Sequence, residues 1–471
     1  MKTTKWIASL LVVGILGALA AIVAGPVGSD TPVALAQTAT QRGAGGEYHP
    51  LEPTRIFDSR TPGINDVAPL GKKPMTLAGA DFDVQVTGVD QLAGLGMPDD
   101  PSKVLAVVAN VTVVEPTAAG WMAVRPSGAP VPNPQSSLVN FAAGRDVPNT
   151  AIVGVGANGK ITVRLRSVGR AHVIVDVSGW ISTSSYAEAR GARLNPVGPA
   201  RLLDTRTAGG PLRTQQTRSL QVRGANSFDP TINGIVPNRT TVSAVMVNIV
   251  AINWQPGSRS TYVTATPTPI PAGTLPTVSN VNLPAGIVKT NMAIVPIGAD
   301  GRIHFFNFAG DLHLAVDVLG YFESDETEST TGRIVPLDAP FRAFDTRDRA
   351  FGSVPLGPGS IEDWSFQAFA DSVQDSSANP LGSQSALIGN LTATDLRRTY
   401  PTLPVSTYLT AYPADRSRPL VSNVNLGEGE AVPNMSLVKY GRLGDDPNGV
   451  KMYNHDGSVH YVLDVYAVVL S

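Results

Sequence analysis

Two short motifs, each present three times, carry the side chains best suited to chemistry in this sequence. The first is P-x-R-x-x-D-[ST]-R, and the second, further along each copy, is H-x-x-x-D. Two carboxylates per copy could serve a glycosidase, and a histidine with an aspartate could ligate a metal ion. The residues are Arg55, Asp58, Arg60, His172 and Asp176 in the first copy, Arg201, Asp204, Arg206, His313 and Asp317 in the second, and Arg342, Asp345, Arg347, His460 and Asp464 in the third.

An ion pair inside each copy explains these residues better than catalysis does. Asp176 interrupts a run of valines and isoleucine, and a carboxylate buried there needs a partner, for which a guanidinium is well shaped. A catalytic pair would normally occur once, whereas these residues recur together with those that build the fold. We therefore expect an internal clamp between the first and last strands of each copy, in the pairs Arg55 with Asp176, Arg201 with Asp317, and Arg342 with Asp464.

The sequence predicts no catalytic residue, no cofactor and no metal site. A histidine and an aspartate four positions apart on one strand are separated by roughly 13 Å, so a second strand would have to contribute ligands. The chain has 0 Cys, which excludes thiol catalysis and cysteine-zinc sites. It also has no G-x-S-x-G, H-E-x-x-H or phosphate-binding loop sequence.

Aromatic residues and asparagines also recur, and they are the candidates for contact with a ligand. The aromatic rings could stack on sugars, although packing in the core or on a sheet face is the competing interpretation. The asparagines are expected to satisfy turn backbones, with hydrogen bonding to sugar as the alternative. The aromatic residues are Trp121, Tyr262, Tyr408, Trp180 and Tyr321, and the asparagines are Asn140, Asn282, Asn425, Asn149, Asn291 and Asn434.

The order of these motifs divides the chain into three diverged repeats. Repeat 1 covers residues 48–182, repeat 2 covers 194–323, and repeat 3 covers 334–471. The segments 37–47, 183–193 and 324–333 are rich in Ser, Thr, Glu and Gly, and we expect them to be exposed linkers, the first of them flexible. The repeats should then be separable modules.

Within each repeat the local pattern is that of short β-strands. Valines alternate along 173–177, and with 46 Gly and 38 Pro the chain is interrupted too often for long helices. The expected fold is all-β, with three tandem β-sandwich, jelly-roll-like modules, and a barrel is the nearest competitor. The modules could close about a pseudo-threefold axis or form an extended string, since the linkers permit both.

The first 36 residues have the pattern of a signal peptide. Lys2 and Lys5 precede an apolar run, and an Ala-Leu-Ala site predicts cleavage before Gln37. The alternative is an uncleaved anchor, which would be the chain's contact with a membrane. The formal net charge is -2 without basic clusters, so nucleic acid is not an expected partner.

The opening motif, combined with H-x-x-V-D-V-x-G-[YW] at the end, resembles uncharacterised tandem repeat modules of secreted and cell-surface actinobacterial proteins. The resemblance covers nearly all of the chain after the signal segment. It implies export and a surface setting, and it implies no enzyme. Repeat 3 departs from the pattern, because Tyr466-Ala467-Val468 replaces the Gly-aromatic pairs Gly179-Trp180 and Gly320-Tyr321.

These observations predict a non-catalytic, extracellular structural or adhesive protein of the cell surface. Its expected partner is a cell-wall or glycan component or another surface protein. The first alternative is a carbohydrate-binding, lectin-like protein with one shallow site per repeat, and the remote alternative is a glycan-active hydrolase.

Overall fold

In a computed structural model of the chain, structure is described for residues 4–6, 44–60, 73–74, 80–132, 135–229, 234–254, 258–324, 327, 329–349, 354–373, 383–398 and 406–471. Their regular secondary structure is almost entirely β-strand, so the all-β prediction is confirmed. The described helical elements are short and include α1 (Asp90–Ala93), α2 (Gln367–Ser372) and a 3-10 turn at Pro101–Lys103. Most of the predicted signal segment and of the first linker lies outside the described residues. Among the residues that are described, no helix has the length and apolar character needed to cross a membrane.

Repeat 1 forms two antiparallel sheets. Its strands are β2 (Tyr48–Asp58), β3 (Lys73–Pro74), β4 (Ala80–Gln85), β5 (Val104–Val114), β6 (Gly120–Pro126), β7 (Val139–Phe141), β8 (Val147–Gly154), β9 (Lys160–Ser167) and β10 (Arg170–Ser182). The larger sheet has the order β2-β10-β5-β8, with β3 beside the start of β10, and the smaller has the order β4-β9-β6-β7.

Repeat 2 has the same two sheets in the same order. Its strands are β11 (Arg193–Asp204), β12 (Thr217–Gln221), β13 (Val242–Asn253), β14 (Thr261–Thr266), β15 (Val281–Leu283), β16 (Ile287–Pro296), β17 (Arg302–Asn307) and β18 (His313–Glu323). The larger sheet is β11-β18-β13-β16, and the smaller is β12-β17-β14-β15.

Repeat 3 follows this pattern with small additions. Its strands are β19 (Ile334–Asp345), β20 (Ile361–Ser365), β21 (Gln384–Arg397), β22 (Ser406–Pro413), β23 (Val424–Gly427), β24 (Val432–Lys439), β25 (Gly441–Leu443), β26 (Asp446–Asn454) and β27 (Ser458–Leu470). The larger sheet is β19-β27-β21-β24, and the smaller is β20-β26-β22-β23. The smaller sheet is extended by β25 on β26 and by β1 (Thr4–Trp6), which runs parallel to β20.

The two sheets of a repeat pack face to face, as in a β-sandwich. In repeat 2, Val245 and Val247 of the larger sheet share one buried cluster with Val263 and Phe305 of the smaller sheet. The alternation of side chains along each strand allows this, because every second residue faces the opposite sheet.

The repeats are not separate units, because one buried cluster joins all three. It contains Val108 of repeat 1, Met292 and Ile294 of repeat 2, and Met435 and Leu437 of repeat 3. The prediction of separable modules is therefore wrong. The larger sheets of all three repeats contribute to this shared interior, and isolating one repeat would expose the apolar residues that it contributes there.

The linkers, where the structure describes them, are not simple exposed connections. Gly46 pairs with Ile334 through a β-bridge, and Ala192 pairs with Tyr48. Glu47 is buried and accepts from Arg193 Nε at 3.1 Å and from the Gly191 amide at 3.0 Å. For these residues the prediction of an exposed linker is wrong, because the backbone and the charged groups are both used in joining the repeats.

Glu47, Arg193 and Arg333 form a charge cluster that takes the last residue of each linker segment. Each of the three stands directly before the first apolar residue of its repeat, and Glu47 Oε1 lies 3.9 Å from Arg333 Nη2. Arg193 is only 2% exposed, and Glu47 supplies a carboxylate to this buried charge.

Replacing Glu47 by glutamine should lower the free energy of unfolding by about 2 kcal/mol, because the hydrogen bonds to a buried guanidinium lose their charge assistance. Urea denaturation would measure the change. Glu188→Gln is the matched control, since this carboxylate pairs with Lys103 at the surface and its loss should change stability by less than about 0.5 kcal/mol. Equal effects of the two substitutions would contradict a structural role for the cluster.

Candidate functional site

The opening motif and the terminal aspartate of repeat 2 meet in a single network. Arg201 and Asp317 are register partners on β11 and β18, so their side chains leave neighbouring strands at the same level. Arg201 donates from Nε to Asp317 Oδ1 at 2.7 Å and from Nη2 to Oδ2 at 3.1 Å. Its third nitrogen, Nη1, lies 3.0 Å from Asp204 Oδ2. The arginine thus holds both carboxylates of the repeat, and the partners expected from the sequence are in contact.

The same network occurs in the other two repeats. Arg55 contacts Asp176 at 2.8 and 3.2 Å, and Arg342 contacts Asp464 at 2.8 and 3.1 Å. In each repeat the second arginine of the motif also donates hydrogen bonds from Nε and Nη2 to the motif's own aspartate. These outer pairs are Arg60 with Asp58, Arg206 with Asp204, and Arg347 with Asp345.

The direction of the pKa shift divides the carboxylates into two kinds. Desolvation raises the pKa of Asp176, Asp317 and Asp464 and outweighs the bonded guanidinium. Burial also acts to raise the pKa of Asp58, Asp204 and Asp345. There the hydrogen bonds and charges of the adjacent arginines are stronger, so the pKa falls below its ordinary value. Asp317 and Asp464 are 0% exposed, so each lies behind its arginine rather than in an open cleft.

The recurrent histidines contact the hydroxyl of the opening motif. His172 Nδ1 lies 2.9 Å from Ser59 Oγ, and the same hydroxyl accepts the backbone N–H of Val173 at 3.0 Å. His313 and His460 make the corresponding contacts to Thr205 and Thr346. Within the described part of the chain, no three His, Cys, Asp or Glu side chains are grouped so that they could hold a metal ion.

Asn149, Asn291 and Asn434 connect one repeat to another. Asn434 lies in β24, donates from Nδ2 to Asn248 Oδ1 at 2.8 Å and to Asn423 O at 2.7 Å, and accepts the Met292 amide at 2.9 Å. The expectation that these asparagines satisfy turns is wrong, because all three are buried within strands. These asparagines do form hydrogen bonds with backbone groups, but some of those groups belong to another repeat.

These contacts follow one cyclic order through the chain. Asn434 of repeat 3 binds Asn248 of repeat 2, Asn291 of repeat 2 binds Asn110 of repeat 1, and Asn149 of repeat 1 binds Asn390 of repeat 3; the Nδ2 to Oδ1 distances are 2.8, 3.4 and 2.9 Å. Asn248, Asn110 and Asn390 in turn donate to the backbone of Ser422, Ser279 and Ser137. Every repeat therefore contacts both of the others through equivalent residues.

Two clefts lie where repeats meet. We name them the 2–3 cleft, which repeats 2 and 3 line together with residues of repeat 1 such as Asn140 and Arg145, and the 1–2 cleft, which repeats 1 and 2 line. The 2–3 cleft has a volume of about 1280 Å³ and is lined by Arg201 and Arg206 from repeat 2 and by Tyr408 and Asn425 from repeat 3. The 1–2 cleft, of about 760 Å³, is lined in the same way by Arg55, Arg60, Tyr262 and Asn282. The arginine network of one repeat thus faces an aromatic residue and an asparagine of the next.

In every repeat the recurrent aromatic residue and the asparagine are direct cross-strand neighbours, and the pairs of repeats 2 and 3 line the two clefts. Trp121 pairs with Asn140, Tyr262 with Asn282, and Tyr408 with Asn425, and all six are partly exposed. Each ring also lies beside a second planar group: Arg166 is 6.0 Å from Trp121, Phe308 is 4.7 Å from Tyr262, and His455 is 4.6 Å from Tyr408. These asparagines lie in strands and not in turns.

Two of the predicted ligand-facing aromatic residues lie elsewhere. Trp180 is 1% exposed and stacks on His49 with ring centroids 4.1 Å apart, so it faces no solvent and the ligand-facing assignment is wrong for it. Tyr321 is half-buried and packs against the core of repeat 2.

Several residues of the 2–3 cleft were not singled out by sequence reasoning. Trp254 and Leu420 line this cleft and are 55% and 78% exposed. Arg145, Lys289 and Glu430 also line it and form a charge cluster, with Glu430 Oε1 at 3.5 Å from Arg145 and 3.8 Å from Lys289. Burial lowers the pKa of Lys289, and Glu430 opposes that shift.

The sequence did contain one signal for Trp254, which is its departure from the repeat. It stands six positions after the recurrent Asn248, where the other repeats have Pro116 and Leu396. A tryptophan that occurs in a single copy is not required by the shared fold.

Comparison with known proteins gives only a distant likeness. No protein-family model and no curated protein matches the chain. Two solved structures are similar over most of their length, one from a study of the triple jelly roll fold and turret assembly in an archaeal virus, the other an atomic structure of Sulfolobus turreted icosahedral virus. The first is 10% identical over 91% of this chain and 90% of the other chain, and the second is 11% identical over 90% and 91%. Both have a TM-score of 0.17, too low to carry any conclusion about this protein.

Proposed function

We propose that this chain is a non-catalytic, extracellular structural or adhesive protein of the cell surface. Its body would consist of three copies of one β-sandwich unit closed about an approximate threefold axis. The cyclic contacts of Asn149, Asn291 and Asn434 support this closure, because equivalent residues join repeat 1 to repeat 3, repeat 2 to repeat 1, and repeat 3 to repeat 2. The signal segment would direct the chain out of the cell.

The observation that carries the non-catalytic proposal is the pairing of the recurrent carboxylates. In all three repeats both aspartates accept from guanidinium groups, and both are buried. A glycosidase needs an acid and a second carboxylate that both reach the substrate. The same arrangement instead fits a brace that holds the first strand of each repeat to its last.

The clefts between repeats favour carbohydrate binding as a second candidate function. Each combines a partly exposed aromatic ring with an asparagine on the neighbouring strand. An aromatic face can cover the apolar side of a sugar ring, and an amide can bond its hydroxyls. A cell-wall or glycan component would then be the partner, and repetition of the sites would raise the avidity.

The proposal is tested by sedimenting residues 37–471 with purified cell-wall fractions of the source organism. We expect saturable co-sedimentation of the folded protein and no release of reducing sugar ends during long incubation. A globular protein of similar size and charge serves as the control. Absence of co-sedimentation with every fraction would refute the adhesive role, and sugar release that depends on Asp204 would establish catalysis instead.

A further inference from the structure

We propose that the 2–3 cleft binds a neutral polysaccharide chain, with Trp254 and Tyr408 as the stacking platforms. The inference rests on the non-catalytic binding function proposed above and names the chemical class of ligand. It is carried by four features of the cleft, which are its apolar floor, its aromatic rim, its fixed polar groups and its balance of charge.

The floor of the cleft is apolar and separate from the main interior. Val250, Ile252 and Ala315 form a small buried cluster of their own, with Val288 packed against it, and all four line the cleft. A volume of about 1280 Å³ exceeds that of an ordinary small-molecule pocket, so the cleft has room for several sugar units.

Trp254 is held at the rim of this cleft by its neighbour in the chain. Asn253 is fully buried and donates to Arg259 O at 2.8 Å and to Pro284 O at 3.0 Å, which fixes the end of β13. The indole that follows is 55% exposed, although a large apolar side chain is stabilised by burial. Binding of a ligand would cover it.

Tyr408 and Asn425 form the opposite wall. The tyrosine ring is backed by His455, and Asn425 donates both amide hydrogens, to Thr290 Oγ1 at 2.6 Å and to Ser422 Oγ at 2.9 Å. Its carbonyl oxygen is then oriented to accept from a hydroxyl group. Arg206 is similarly fixed by two bonds to Asp204, at 2.9 and 2.6 Å, and it keeps further N–H donors on an exposed side chain.

The charges of the cleft favour a ligand without charge. Among the described residues that line it, four are basic and four are acidic. Arg206 is bound to Asp204, and Arg145 and Lys289 both face Glu430. A polyanion would gain little net attraction and would meet four carboxylates, whereas sugar hydroxyls can bond to both kinds of group.

The 1–2 cleft does not have all the features of the 2–3 cleft. It is smaller, about 760 Å³, and Pro116 stands where repeat 2 has Trp254. The tightest site is therefore assigned to the 2–3 cleft.

Affinity electrophoresis tests the inference with residues 37–471 in gels that contain dextran, mannan, arabinogalactan or a soluble β-1,3-glucan, and hyaluronan as the anionic probe. We expect at least one neutral polymer to retard the wild-type protein and hyaluronan to leave its mobility unchanged. Trp254→Ala and Tyr408→Ala should each weaken retardation about tenfold or more, since each removes a stacking face. Phe228→Ala is the matched control, because Phe228 is 50% exposed and lines neither cleft, and it should bind like the wild type.

The thermal unfolding temperature of Trp254→Ala should match that of the wild type. A loss of binding would then be due to the change in the cleft and not to unfolding of the protein. Wild-type retardation by none of the neutral polymers, preference for hyaluronan, or unchanged binding of Trp254→Ala would each overturn the inference. If wild-type protein still sediments with cell wall in any of these cases, the adhesive function stands and only the cleft assignment fails. Failure of the wild type to sediment with every wall fraction would instead refute the proposed function itself.

Discussion

Arg201→Ala should lower the free energy of unfolding by about 3–5 kcal/mol, as expected when one partner of a buried ion pair is removed. Arg201 is 14% exposed and forms three bonds to two carboxylates, and the substitution leaves Asp317 with no guanidinium in a site without solvent. Denaturation by urea, followed by circular dichroism, measures the change. Arg206→Ala is the matched control, because this arginine also binds Asp204 but is 41% exposed, and its loss should cost no more than about 1 kcal/mol.

The cost of Arg201→Ala should also depend on pH. Burial already raises the pKa of Asp317, and loss of the guanidinium removes the charge that opposes this rise. A carboxyl whose pKa is raised by folding favours the folded state when protonated, so stability falls as the pH rises above the unfolded value of about 3.9. The variant should therefore be less destabilised at pH 5 than at pH 8.

A second substitution separates this explanation from simple loss of packing. Asp317→Asn in the Arg201→Ala background removes the stranded charge, so the double variant should be more stable than Arg201→Ala alone at pH 8. If the double variant were less stable than the single one, the stranded carboxylate would not be the cause of the loss.

The ion pairs within a repeat could be predicted from sequence because both partners are encoded there. Arg201 lies near the start of its repeat and Asp317 near the end, and an aspartate within a run of apolar residues requires a cation in the folded state. Three copies showed that the two residues always occur together. To predict such a pair, it is enough to know the chemistry of the two residues and to assume that their strands are adjacent.

Contacts between repeats could not be obtained in that way. Asn434 looks like a turn residue when its own repeat is considered, because the group that it binds, Asn248 Oδ1, lies 186 residues earlier. The same limit explains why the linkers were predicted to be exposed. Their polar composition suggests exposure, but Glu47, Arg193 and Arg333 lie together although they are far apart in the chain. Local pattern indicates the chemistry of a side chain, whereas the packing of the repeats against one another decides which group it contacts.

Trp254 illustrates a different limit of prediction from repeats. Residues shared by all three copies are easily recognised, whereas a functional residue present in a single copy is not. A repeat identifies what the shared fold requires, and Trp254 occurs in one copy only, at the rim of the larger cleft. Comparing the copies for differences, as well as for agreement, would have found it.

Asn434→Ala should lower the free energy of unfolding by about 3 kcal/mol or more, because it leaves three buried groups without their partner. These are the Met292 amide, the Asn423 carbonyl and the Asn248 side-chain oxygen, and each such group costs about 1–3 kcal/mol when unsatisfied. Urea denaturation gives the value, and Asn425→Ala, on a partly exposed asparagine of the same repeat, is the control with an expected loss of about 1 kcal/mol.

Asn434→Asp tests whether the amide group itself is required, because aspartate has nearly the same shape. The substitution removes two donated hydrogen bonds and places a carboxylate oxygen against the oxygens of Asn423 and Asn248, which repel it. We expect it to be at least as destabilising as alanine at pH 8. Because Asn434 joins repeat 3 to repeat 2 within a shared interior, the loss should shift a single unfolding transition to lower urea. A separate early transition of one repeat, with the other two unchanged, would show that the repeats are stable alone and that the asparagine contacts do not hold them together.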